Sequence, residues 1–232
     1  MDNLLRGAQV SAALDEVSRL IGYPSPGKMS PAVRDVCLQE LARLPDLCTP
    51  WGTWRDFGLR AVHGSGIELT EGLTLTSRRL AKLMRNAHSM RLFMATLGED
   101  VTREVQRLVH EDFMLEAMAL DAAATAAVHA LTEGLIRRTC DEARTRGYGT
   151  TIRYAPGYTG WNISDISALF AALECERIPV RLNPQLMMHP GKSLLSIIGL
   201  TNDGQIAAPP EQCRGCDLIH CSARKAPYRP SR

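Results

Sequence analysis

The chain has 232 residues, of which 45% are hydrophobic and 22% charged, and its 27 basic and 25 acidic side chains leave a formal charge of +2. These proportions belong to an ordinary globular chain with apolar material for one sizeable core or two small ones, and they exclude collagen-like, disordered and disulfide-stapled miniature classes. The two signs of charge are largely interspersed, so no one-signed field draws in a polyanion, and neither nucleic acid nor a membrane is an expected partner.

The first residues, Met1 to Arg6, lack the basic region, long apolar run and cleavage site of a secretory signal, which makes the cytoplasm the expected location. An amphipathic segment carrying Val10, Leu14, Val17 and Ile21 closes near Gly22. Ser30-Pro31 then starts a helix, since serine can cap free backbone N–H groups and proline suits the first helical turn, and Pro45 ends it. Between Trp54 and Thr76 the glycines multiply and residues 67–70 and 73–76 alternate as half-buried strands do. Ser77 opens a helix through Leu80 and Met84, residues 92–97 read as a strand stopped by Gly98, and Asp100 is placed to cap a helix through Val101, Val105 and Leu108.

A long alanine-rich helix is expected from about Phe113 to Arg144. Its most apolar part, residues 117–131, is interrupted by Asp121 and His129 and falls short of a membrane span. After Gly147 and Gly149 come an expected strand, residues 151–154, and the loop Ala155-Pro156-Gly157-Tyr158. Asn162 or Ser164 can cap a helix through Ile166 and Leu169, and two extended segments, residues 180–188 and 193–200, follow. Long helices with short, unevenly spaced strands predict an α+β fold with a helical N-terminal part.

Four cysteines, Cys37, Cys48, Cys140 and Cys175, stand singly and read as small core residues. Cys213, Cys216 and Cys221 are different, because thiolates at such spacing can wrap a zinc ion or an iron-sulfur cluster, or remain free in a tail. Arg214, Arg224, Lys225, Arg229 and Arg232 crowd around them. Residues 1–208 are therefore read as one domain and residues 209–232 as a cysteine-rich tail. The run Gly191-Lys192-Ser193 has the end of a phosphate-binding loop but not its beginning, since position 186 is Leu and the residues that follow read as a strand.

Arg153 at a strand end, followed by a proline turn, Gly157 and Tyr158, offers a planar cation suited to a carboxylate beside a backbone that a ligand can approach closely. This Arg-x-x-x-Gly-Tyr run resembles the S-adenosylmethionine-binding signature of the reactivation domain of cobalamin-dependent methionine synthase. Residues 186–193 and 195–199 are similar to that family's second block, and Ala95-Thr96-Leu97-Gly98 with the helix around Asp121 resembles its stand-alone members. The resemblance implies a mixed or antiparallel twisted sheet flanked by helices. It implies S-adenosylmethionine as cofactor, its methionyl carboxylate on Arg153, its nucleoside against Ala155, Pro156, Gly157 and Tyr158, and Glu133 as a nearby carboxylate. It further implies reductive methylation of a corrinoid carried by a partner, a methionine synthase or related methyltransferase, with a low-potential electron donor. The sequence keeps open a non-catalytic module that binds S-adenosylmethionine or a metal and regulates such a methyltransferase.

Overall fold

The computed structural model describes residues 4–173, 178–207, 211–214, 224 and 226–229. Strand β1 (Leu4–Arg6) leads into helices α1 (Leu14–Leu20) and α2 (Pro31–Arg43). Ser30 caps α2 by accepting from the Val33 N–H at 3.3 Å, with Pro31 in the first turn. Helix α1 begins only at Leu14, so Val10 approaches it as extended chain, yet is buried all the same.

Five strands follow: β2 (Trp51–His63), β3 (Gly66–Leu69), β4 (Thr74–Thr76), β5 (Ala87–Thr96) and, later, β9 (Ser193–Thr201). With β6 (Gly149–Thr150) they form a sheet in the order β4-β3-β2-β5-β9-β6, to which β1 adds beside β2. The strands of this sheet pair antiparallel, within the range the sequence predicts. Ser77 caps the short helix α3 (Arg78–Leu83) by accepting from the Leu80 N–H at 3.0 Å.

Helix α4 (Asp100–His110) departs from expectation at its start: Asp100 is its first residue rather than its cap, and its carboxylate pairs with Arg103 at 2.5 Å. Helix α5 (Met114–Thr145) runs 32 residues. It meets the length and hydropathy needed to cross a bilayer, which the interrupted apolar run did not predict, but half of its most apolar window is buried inside the protein and it packs as a core helix.

The residue alternation of β5 divides the sheet. Met90, Leu92 and Met94 face one side with Leu195 and Ile197 of β9, covered by α3, by helix α6 (Ile166–Ala172) and by Tyr154 and Trp161. Phe93 and Ala95 face the other with Trp54 and Ile198, against Leu135 of α5. The N-terminal half of α5 belongs to a second core, where α1, α2 and α4 close around Ala119, Ala123, Ala124 and Ala127. Small side chains there let the helix axes approach, and each buried leucine or valine that fills the gaps contributes about 1.5–3 kcal/mol.

Arg91 ties these layers together. It is buried on β5 and reaches Asp56 of β2 through Nε and Nη2 at 2.6 and 2.8 Å, and Glu142 and Thr139 of α5 through Nη1 at 2.7 and 3.3 Å.

Residues 180–188 do not form one extended segment. Strands β7 (Arg181–Leu182) and β8 (Met188–His189) make a small hairpin, because the Asn183 side chain accepts from the Gln185 and Met187 N–H groups at 3.0 and 2.9 Å and folds the chain back. Helix α7 (Glu211–Arg214) carries Cys213, while Cys175, Cys216 and Cys221 lie outside the described residues.

Between α2, α4 and α5 lies an ionic cluster. Glu104 accepts from Arg107 at 2.8 and 2.9 Å and from Arg43, which hold its carboxyl down to about 2. Glu40 is buried, receives Arg43 at 3.3 Å on Oε1 only, leaves Oε2 without a partner, and lies near Glu104 and Glu116. Burial pushes its carboxyl above the ordinary glutamate value of 4.5, opposed by Arg43 and reinforced by the two acidic neighbours. The folded state thus holds this proton more tightly than the unfolded chain, so the Glu40 contribution is fully present below 4.5 and is lost as pH rises through the elevated folded value. Glu40→Gln is expected to leave stability unchanged near pH 4 and to raise it at pH 7, because the amide carries no charge to be taken out of water. Urea unfolding at both pH values checks this.

Candidate functional site

The sheet is incomplete beside β9, and the candidate site lies along that edge. Strand β6 pairs with β9 only at Gly149↔Thr201 and Thr150↔Leu200. The expected strand 151–154 does not continue the ladder. Thr151 donates its N–H to the Gly199 carbonyl at 2.9 Å and accepts the Gly199 N–H on its hydroxyl at 2.8 Å. Pairing resumes at Tyr154, whose N–H and carbonyl bond Ile197 at 3.0 and 2.8 Å. Ile152 and Arg153 together therefore oppose the single residue Ile198, a bulge that bends the strand and takes Arg153 out of the ladder. Gly199 permits this crossing, because a Cβ there would stand 2.9 Å from Thr151 and 2.6 Å from Met84.

The loop after Arg153 is tightly built. Gly157 has φ +86° and donates to the Trp161 carbonyl at 2.9 Å, and Trp161 donates back to the Tyr158 carbonyl at 2.9 Å. The Trp161 ring is buried, stacks on Tyr154 at 5.3 Å and donates its Nε1–H to Asp165 at 2.9 Å. Asp165 also accepts from the Thr76 N–H at 3.1 Å, and Ser77 donates to the Gly160 carbonyl at 2.7 Å, so the end of β4 and the start of α3 anchor the loop from below. Tyr154 donates to the Thr159 carbonyl at 2.5 Å. Burial pushes its phenol up, with Arg79 opposing, so it remains a donor at neutral pH.

Arg153 is half-buried and its Nη2 lies 3.5 Å from the Tyr158 hydroxyl, a weak contact that keeps the guanidinium beside the aromatic ring. Ala155 and Pro156 are buried, Gly157 is exposed and Tyr158 is half-buried. Glu133 sits half-buried on α5, seven residues before Cys140, whose Sγ is 3.6 Å from the Thr150 hydroxyl. Helix α5 runs in the same direction as β9, with Lys192 bonding Thr125 at one end and Cys140 beside Thr150 at the other.

Lys192 of the Gly191-Lys192-Ser193 run pairs with Asp121 at 2.7 Å, and the strand β9 that follows bears out the rejection of a phosphate-binding loop. Two clefts lie elsewhere, one between α1, α4 and α5 and one beside residues 26–38, and neither is lined by Arg153, Glu133 or residues 155–158. Among the described residues no group of three or more His, Cys, Asp or Glu side chains is placed to hold a metal. Cys213 is half-buried, and its carbonyl accepts from Arg224.

Sequence reasoning missed the residues that hold the loop, Ser77, Trp161 and Asp165. The spacing of Trp161 and Asp165, four residues apart across a helix start, was the available signal.

Neither a protein-family pattern nor a curated protein matches the chain. The α+β architecture, an antiparallel sheet flanked by helices, has a counterpart among solved structures. A crystal structure of the MetH reactivation domain bound to AdoHcy matches with a TM-score of 0.61 at 17% identity, covering 76% of this chain and 67% of that one. At this identity the likeness establishes the fold.

Gly157→Ala is expected to cost about 1–2 kcal/mol, because a side chain at positive φ is strained and its Cβ would crowd Ile163 at 3.2 Å. Thermal unfolding of the variant against Gly191→Ala, where a Cβ meets open space, checks it.

Proposed function

We propose that this chain binds S-adenosylmethionine along the bulged edge of β9 and serves in reactivating a corrinoid methyl carrier that belongs to a partner protein. The observation that carries the reading is the shared fold with a MetH domain whose structure holds AdoHcy. Added to it is an Arg-x-x-x-Gly-Tyr loop built at a sheet edge on a bulge.

The residues present fit an amino-acid sulfonium ligand. Arg153 offers two parallel N–H groups to a carboxylate. Gly157 is exposed and has no side chain, so a nucleoside can approach its backbone closely. Glu133 of α5 is proposed to offer a carboxylate to a positively charged amino group. When bound, S-adenosylmethionine supplies an electrophilic methyl group, destined for a reduced corrinoid cobalt. The protein's own contribution is to hold and align, which can be worth about 7–11 kcal/mol without a general base. The electron comes from a low-potential donor, and Cys213, Cys216 and Cys221 are proposed as thiolates for a cluster or a zinc ion. Iron and sulfide analysis after anaerobic purification is expected to find a cluster; stoichiometric zinc in a colourless protein excludes an electron-transfer role.

The positions of the two clefts, away from Arg153, favour a second reading, a docking or regulatory subunit of a corrinoid methyltransferase that performs no transfer. Incubation with a cobalt(II) corrinoid protein, a low-potential reductant and methyl-labelled S-adenosylmethionine separates the two. Labelled methylcobalt is the result expected of the first reading, and an unlabelled corrinoid that still forms a complex is the result expected of the second. Arg153→Ala is expected to weaken S-adenosylmethionine binding by about 10- to 100-fold in calorimetry, the loss of a charge-assisted hydrogen-bond pair. Unchanged affinity places the ligand elsewhere.

A further inference from the structure

The nucleoside half of the proposed ligand needs apolar surface to pack on, and the loop after Arg153 supplies little of its own. Ala155 and Pro156 are buried, so of residues 155–158 only Gly157 and Tyr158 present themselves to solvent. Gly157 brings backbone alone, and the Tyr158 ring is half-buried with its hydroxyl 3.5 Å from Arg153 Nη2. A flat heterocycle bound here therefore draws on a side chain from outside the loop.

Ile163 stands where that side chain is needed. A Cβ on Gly157 would lie 3.2 Å from Ile163 Cδ1, so the isoleucine adjoins the glycine, yet it is itself 43% exposed. An isolated apolar residue on a protein exterior is ordinary, but this one is held outward by a built framework. Trp161 and Ile166 on either side of it are buried in the core beneath the loop. The Trp161 indole donates to Asp165 at 2.9 Å, and Asp165 accepts from the Thr76 N–H at 3.1 Å. Asn162 caps the 3-10 turn Ile163–Asp165 by accepting from the Ser164 N–H at 2.9 Å. With both neighbours pinned, the Ile163 side chain is fixed beside the exposed glycine.

Apolar surface thus adjoins Gly157, while a guanidinium adjoins the Tyr158 hydroxyl. A ligand that carries a flat heterocycle and a carboxylate matches that pair, because apolar walls supply contact area and a few polar groups fix orientation.

We infer that Ile163 is the wall against which the purine of S-adenosylmethionine packs, and so a determinant of selectivity for a nucleoside-bearing ligand. The inference rests on the reading that the Arg153 loop holds this ligand.

Calorimetry of the full chain with S-adenosylmethionine and with adenosine, which lacks the carboxylate, tests it. Ile163→Ala is expected to weaken both ligands about tenfold, the loss of a few packed methyl and methylene groups, and Ile163→Leu to keep both. Arg153→Ala is expected to weaken S-adenosylmethionine but not adenosine. Thermal unfolding of the Ile163 variants is expected to match the wild type, since an exposed side chain carries little stability. Wild-type affinity for S-adenosylmethionine in Ile163→Ala, with binding weakened in Arg153→Ala, overturns the inference and leaves the reading of the site intact. A wild type that binds no S-adenosylmethionine overturns both.

Discussion

One helix has to satisfy two cores at once, and the rest of the molecule is arranged around that demand. The N-terminal half of α5 is packed by α1, α2 and α4 through its alanines, while its C-terminal half lies on the sheet through Leu135. A helix 32 residues long spans about 48 Å, more than either core, so neither can move without carrying the other. Arg91 secures the join on the sheet side. Its guanidinium takes both oxygens of Asp56 and one of Glu142, and fixes β2, β5 and α5 at a single distance.

Because α5 is held rigidly parallel to β9, the edge of β9 becomes a defined place. Lys192 meets Thr125 at the beginning of that edge, and Cys140 meets Thr150 at its end. Between them the partner strand lasts only two residues before Thr151 substitutes its hydroxyl for a backbone acceptor and the chain bulges. The bulge removes Arg153 from the ladder, and the ring of contacts among Tyr154, Trp161, Asp165 and Ser77 holds the following loop in place. A loop holds its side chains in a defined place only when a rigid scaffold fixes it, and here the scaffold is the sheet face opposite α5.

The likeness to the MetH reactivation domain and the chemistry proposed for this chain rest on different kinds of support. A shared fold fixes the path of the backbone, whereas activity depends on particular side chains at a site.

Much of the architecture was legible in the residues. Ser30-Pro31 and Ser77 mark helix starts because capping is a local hydrogen bond, and both side chains cap as read, while Asn162 caps the 3-10 turn Ile163–Asp165 that leads into α6. The alanine-rich stretch and the strand before Gly98 follow from periodicity, which needs only near neighbours. Asp100 was misread because its carboxylate found Arg103, and residues 180–188 because Asn183 turned the chain back. The sequence by itself determined the α+β class, the long helix and the candidate Arg-x-x-x-Gly-Tyr loop. Only the tertiary structure decided that this loop bulges from β9 and that Trp161 and Asp165 hold it. Those facts depend on which distant segments lie side by side, and register across a sheet edge is set by packing that no local pattern contains.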